Sequence, residues 1–237
     1  MTKKVASEKQ SRSCKISMVD LRKIKPVTIN QSKFFNAFSE SDFFILSGYP
    51  GTGKSFIALY KAIEAVLAGE YERVVIIRSA TPTRDLGALP GDLEEKMQSY
   101  ETPYIQICEK LFGRPDAYSR LKEQRMIKFV STSYLRSLTF DESVIILDEY
   151  QNCTSEELNT VATRVGEQSS LIMCGDEFQI DIKGWNNQSG YHEFMRVIQY
   201  MPDTVRIIFD KVEDICRSGF VKDFILAKIK DAQNVSK

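Results

Sequence analysis

The chain is poor in the features that mark metal, disulfide and membrane proteins. It has a single histidine, His192, and five cysteines, Cys14, Cys108, Cys153, Cys174 and Cys216, scattered and with no CxxC pair. An odd, dispersed set reads as reduced structural thiols rather than a disulfide framework, and the spacing argues against a cysteine zinc cluster. His192 has no evident Ser or Cys partner with which to form a nucleophile and base, so its expected role is to cap or pack a helix. No run of 18 apolar residues occurs, so no membrane partner is expected. Net charge is also missing: 32 basic and 32 acidic side chains sum to zero, so no whole-molecule field steers the protein toward a polyanion. The charge is uneven in one place, residues 1–25, which carry a net +6 and leave −6 on the rest. That stretch lacks the apolar centre of a secretory signal and reads as a basic, flexible arm, with a cytoplasmic location expected.

What is present suits one folded domain. With 43% hydrophobic residues in 237, the chain can bury a full core, expected over 26–237 with no internal repeat. Six apolar runs read as strands: 42–48, 73–79, 126–132, 143–149, 170–176 and 204–210. They are nearly continuous in Val, Ile, Leu and Phe, as strands buried on both faces require. Helical patterns lie between them at 54–69, about 92–112, about 116–125, 155–165, 189–200 and 219–233. This alternation predicts an α/β fold, a mostly parallel sheet with helices on both faces, and places ligands at the carboxyl edge of the sheet.

The segment GYPGTGKS, residues 48–55, sits between the first strand and the first of these helices. It matches GxxxxGK[ST], in which backbone N–H groups cradle phosphates, the lysine reaches the β and γ groups, and the hydroxyl meets magnesium. The candidate nucleotide-binding residues are therefore Gly48, Tyr49, Pro50, Gly51, Thr52, Gly53, Lys54, Ser55 and Phe56. A second strand, VIILDEYQN at 144–152, ends in two carboxylates: Asp148 can hold magnesium with Ser55, and Glu149 can polarise an attacking water. A third ends in CGDEFQID at 174–181, where Gln179 can reach a γ-phosphate and Asp176 or Asp181 can shape the turn. DIKG at 181–184 fits a short GTPase switch pattern, but no NKxD element follows to read guanine.

Taken with LGALPGDLEEK (86–96), LTFDESVIILDEYQN (138–152), TRVG (163–166) and SGYHEF (189–194), these motifs resemble the PhoH-like family of P-loop ATPases, related to superfamily 1 helicases. The resemblance runs from about residue 26 to 233. It implies a RecA-like ATPase core, ATP and Mg²⁺ as cofactors, frequent hexamers, and a link to RNA or DNA unwinding; small phage-encoded members share this short layout. By the same resemblance Gln31 corresponds to a glutamine that reads the adenine edge, and Arg164 and Arg217 to arginines near the γ-phosphate. Such an arginine neutralises charge developing in the transition state.

Three departures stand out. RSLTF (136–140) has Leu138 where an arginine is common, DEYQN has Tyr150 where a small residue is usual, and RSAT (78–81) lacks a proline after Arg78. One core in a chain of this length, where the related motors place two, implies a homo-oligomeric ring, with Arg217 completing a pocket across an interface. The basic arm implies modest, salt-dependent contact with single-stranded RNA or DNA. A nucleotide or small-molecule kinase and a nucleotide-gated assembly protein stay open as alternatives, although no arginine-rich lid is visible for a kinase.

Overall fold

Residues 15–79, 93–176, 179–180 and 189–235 are described by the structure, a computed structural model. All six apolar runs form strands: β1 (Phe43–Gly48), β2 (Arg73–Arg78), β3 (Ile127–Ser131), β4 (Ser143–Asp148), β5 (Ser170–Cys174) and β6 (Val205–Phe209). They pair in parallel in the order β3-β2-β4-β5-β1-β6, so β5 lies between the strand that leads into the glycine loop and the strand that ends in Asp148. This is the RecA-like α/β arrangement.

Period-two alternation explains why uninterrupted apolar runs suit these strands. Phe44, Leu46, Val74, Ile76, Val144, Ile146 and Ile172 face one side, and Ile45, Val75, Ile77, Ile145, Leu147, Leu171 and Met173 the other. The first face is covered by α1 (Ile29–Ala37), α2 (Lys54–Ala68), α3 (Leu93–Phe112) and α4 (Ala117–Glu123). The second is covered by α5 (Ser155–Ala162) and α6 (Tyr191–Ile198). The last helix, α7 (Phe220–Val235), buries Ile225 but leaves Phe220 and Phe224 exposed and stacked on each other.

Apart from β1, the strands stop one or two residues short of the apolar runs. Ser79, Glu149, Gly175 and Asp176 thereby leave the sheet at its carboxyl edge. Helix α5 stops at Ala162, three residues short of the predicted end, because Val165 turns back to bridge Phe140.

Two features differ from the sequence reading. Residues 15–25 are not a free arm: Ile16 and Leu21 are buried in the first core, and Arg22 N–H donates to Leu111 O at 2.9 Å. Ile16 and Leu21, with Ile24 packed partly beside them, dock this stretch, while its lysines stay in water. Helix α1 was also absent from the predicted elements. Its N-cap, Thr28, accepts a hydrogen bond from Gln31 N at 3.2 Å, and its Phe34 ring packs edge-on against Phe44.

Candidate nucleotide site

The glycine loop is fastened on three sides. Gly48 has φ +122°, a region that favours glycine, and a Cβ there would run into the Phe209 carbonyl of β6. Tyr49 N donates to that carbonyl at 2.8 Å. On another side Cys216 N donates to Gly51 O at 2.9 Å, and inside the loop the buried Thr52 hydroxyl donates to Tyr49 O at 2.9 Å. Gly53 then caps α2 with no side-chain hydrogen bond, so the first N–H groups of the helix are open to an anion. Lys54 donates to Gly48 O and Tyr49 O, both at 2.8 Å, and to Thr52 Oγ1 at 3.4 Å. Burial pulls its ammonium below its ordinary value, and Asp176, Glu149 and Asp148 work against that pull.

Across the edge of β5 the carboxylates are each held in place. Ser55 Oγ donates to Asp148 Oδ1 at 2.8 Å, and Tyr104 Oη of α3 donates to Asp148 Oδ2 at 2.8 Å. Glu149 sits at φ +56°, a left-handed conformation uncommon for a side chain with a Cβ. Its carboxylate accepts from Gln151 Nε2 at 2.6 Å. Burial, then the charge of Asp148, raises the Glu149 carboxyl above its ordinary range, with Arg78 and Lys54 opposing. Gln151 is fully buried and also accepts from Asp176 N at 3.0 Å, so it ties Glu149 to the turn after β5. Gly175 is the only residue type that leaves room for it, since a Cβ there would meet Gln151 and Tyr150.

Together these groups line a cleft of about 320 Å³. One wall is the loop and the start of α2, with Pro50, Lys54, Ser55 and Phe56; the floor is Asp148, Glu149 and Asp176; the far wall is α3, with Pro103, Gln106, Ile107 and Lys110. Gln179 and Arg217 close the rim. Ser55 and Asp148 offer hard oxygen donors beside the loop, a donor set that fits magnesium.

Arg217 also packs against the loop of its own chain, where a Cβ on Gly51 would be 2.9 Å from its Cγ. Other predicted residues fall elsewhere. Gln31 is 4% exposed and its amide is committed: Nε2 donates to Thr52 O at 3.0 Å and to Cys216 Sγ at 3.2 Å, and Oε1 accepts from Val27 N at 2.9 Å. It braces the loop from behind rather than presenting itself to a base. Arg164 is at the opposite edge of the sheet, where its carbonyl accepts from Phe140 N at 3.0 Å. Strand β4 separates it from Asp148 by six residues, roughly 20 Å at about 3.3 Å each. Asp181 and DIKG lie outside the described residues, as does LGALPGDLEEK up to Leu93.

The remaining motifs are structural supports. Ser189 of SGYHEF donates to Gln151 O at 2.6 Å, Tyr191 stacks on the buried Tyr150 at 5.8 Å, and His192 packs edge-on against Tyr191 at 5.1 Å. Arg78 lies with its guanidinium 5.7 Å from the Tyr100 ring. Burial opposes its charge, but Tyr104, Asp148 and Glu149 outweigh that and hold it above its ordinary value. Sequence reasoning missed Gln151, Tyr104 and this placement of Arg78. The available signal for Tyr104 was the Tyr100, Tyr104, Cys108 spacing of four, which puts all three on one face of α3.

A glycine loop opening a helix, a lysine inside it and an acidic strand end opposite define a P-loop nucleotide-binding protein. Residues 23–228 match the profile of the family described as PhoH-like protein, and the chain belongs to that family. It is 29% identical over 210 residues to the PhoH-like protein of Mycobacterium leprae, covering 88% of this chain and 58% of that one. It is 34% identical over 162 residues to that of Bacillus subtilis, covering 68% and 50%, and 32% identical over 205 residues to that of Synechocystis sp., covering 86% and 62%. The chain thus spans about half to three fifths of these relatives. Among solved structures, Pif1 helicase from Candida albicans is similar over 80% of this chain and 41% of that one, at 16% identity and a TM-score of 0.36. No described helix is long and apolar enough to cross a membrane.

Proposed function

We propose that the chain binds ATP with Mg²⁺ in this cleft and hydrolyses it. The observation that carries the reading is the convergence of Lys54, the Ser55 and Asp148 pair, and a Glu149 held by Gln151 at one edge of one sheet. The N–H groups of the loop and of the start of α2 bind the phosphates. Lys54 exchanges the Gly48 and Tyr49 carbonyls for phosphate oxygens, which draws it out of contacts with neutral partners. Magnesium, held by Ser55 and Asp148, would neutralise charge on the phosphates. Glu149 takes a proton from the attacking water; its raised carboxyl pKa brings it closer to the working pH of a general base. Arg217 and Gln179, on the rim, sense or neutralise the γ-phosphate from within the same chain.

The use of the energy rests on the family resemblance. The reading is an ATPase that acts on single-stranded RNA or DNA, assembled as a homo-oligomeric ring. Arg217 lines the pocket of its own chain, so the ring reading does not depend on it as the residue that crosses an interface. The test is phosphate release with and without single-stranded RNA and DNA at low salt, with Lys54→Ala as the blank, beside sedimentation with ATP and Mg²⁺. Turnover absent in the wild type sinks the enzyme reading. Turnover unchanged by either nucleic acid sinks the coupling, and a monomer that turns over sinks the ring.

A further inference from the structure

Asp148 is approached by two hydroxyls rather than one. Ser55, the partner the motif predicts, takes Oδ1; Tyr104, about fifty residues from the loop and buried on the helix that forms the far wall of the cleft, takes Oδ2 at the same 2.8 Å. Tyr104 is 1% exposed, with its ring 5.9 Å from that of Phe129. A phenol buried among apolar groups is costly unless its hydroxyl has a partner. Here the acceptor is a carboxylate, and a hydrogen bond to a charged acceptor is the stronger kind; the Arg78 guanidinium also meets the phenol. Asp148 itself is 6% exposed and ends β4, so neither oxygen is free to turn toward bulk water.

We propose that Tyr104 is a positioning residue for the metal site: by occupying Oδ2 it fixes the carboxylate plane of Asp148, so that Oδ1 alone faces Ser55 and the cation. The inference rests on the ATP and Mg²⁺ reading above. It gives α3 a second task, because the helix that walls the cleft through Pro103, Gln106 and Ile107 also sets the orientation of a metal ligand. Partners that orient metal ligands are often worth about 10- to 100-fold in metal affinity.

Tyr104→Phe deletes the donor and keeps the ring, and Tyr104→Leu deletes both. Affinity for Mn²⁺ is read by electron paramagnetic resonance in the presence of a non-hydrolysable ATP analogue. Binding of the same analogue in EDTA, and thermal unfolding, are followed beside it. The expected result for Tyr104→Phe is Mn²⁺ affinity weakened on the order of tenfold, a matching rise in the Mg²⁺ concentration that half-saturates turnover, and analogue binding in EDTA unchanged. Wild-type Mn²⁺ affinity in Tyr104→Phe overturns the inference, as does a melting temperature that falls with no change in metal requirement. If the wild type itself holds no Mn²⁺ with the analogue, the underlying ATP and Mg²⁺ reading fails, and the inference with it.

Discussion

The two edges of the one sheet carry cavities of opposite character. At the amino edge a cavity of about 860 Å³ is lined by Thr139, Asp141, Glu142, Val165, Gly166, Glu167 and Gln168. At the carboxyl edge the cleft is smaller, about 320 Å³, yet it has two ammonium groups (Lys54 and Lys110), a guanidinium, a helix N-terminus and three carboxylates. Both edges contain left-handed residues: Glu142 and Gln168 at one, Glu149 at the other. Neither volume nor backbone strain therefore tells the edges apart. The charge of the lining side chains does: the carboxyl-edge cleft sets cations and a helix N-terminus against its carboxylates, whereas the charged side chains lining the amino-edge cavity, Asp141, Glu142 and Glu167, are all acidic. A parallel sheet makes this difference systematic, because every strand there points the same way and helix N-termini gather at the carboxyl end.

The most severe way to break the comparison is to remove charge at the carboxyl edge. Lys54→Ala should lower turnover by about 10²- to 10³-fold or more in a phosphate-release assay, whereas Arg164→Ala at the other edge should leave equilibrium nucleotide binding unchanged. Equal losses of binding in the two variants would erase the distinction. Next in size, Gln151→Leu strands the Asp176 N–H and one face of Glu149 in a buried setting. It should cost about 1–3 kcal/mol in denaturant unfolding, with a fall in kcat beyond what the loss of folded protein explains.

A pH comparison sharpens the account further. The folded Glu149 carboxyl titrates above its ordinary range, because burial and Asp148 disfavour its charge. Its ionisation therefore weakens the fold: that stability is present below the unfolded value and lost as pH rises through the folded one. In metal-free buffer Glu149→Gln should melt higher than the wild type at neutral pH, and the gap should close as pH falls to the ordinary carboxylate range. A wild type that gains on the variant as pH rises would reverse the sign. The smallest effect is expected at the surface. Arg136 pairs with Glu156 at 2.6 Å, but the side chains are 77% and 75% exposed, so Arg136→Ala should shift stability by less than about 1 kcal/mol.

Much of the fold was legible because strands buried on both faces leave a plain signature, and each predicted run contains its strand. The structure brings the motif residues Lys54, Ser55, Asp148, Glu149 and Gln179 around one cleft, with Arg217 of the same chain beside them. Arg164 shows where motif reasoning alone fails. TRVG precedes β5, and in a parallel sheet whatever precedes a strand lies at the amino edge, so the chain order already placed it away from the loop. Gln31 was legible only in part for a different reason: an amide can read a base or brace a loop, and the contacts with Thr52 and Cys216 that make it a brace in this structure come from distant parts of the chain. Tyr104 and Gln151 were hidden because their partners are distant in sequence or lie inside a motif whose neighbours draw the attention. Ile16 and Leu21 were hidden by the charges around them.

The most direct test of the central claim, that the carboxyl-edge cleft hydrolyses ATP with Glu149 as base, is a paired measurement on Glu149→Gln. ATP binding by equilibrium dialysis should match the wild type, while phosphate release should fall by about 10²- to 10⁴-fold. A variant that binds ATP and still releases phosphate at the wild-type rate would contradict the account.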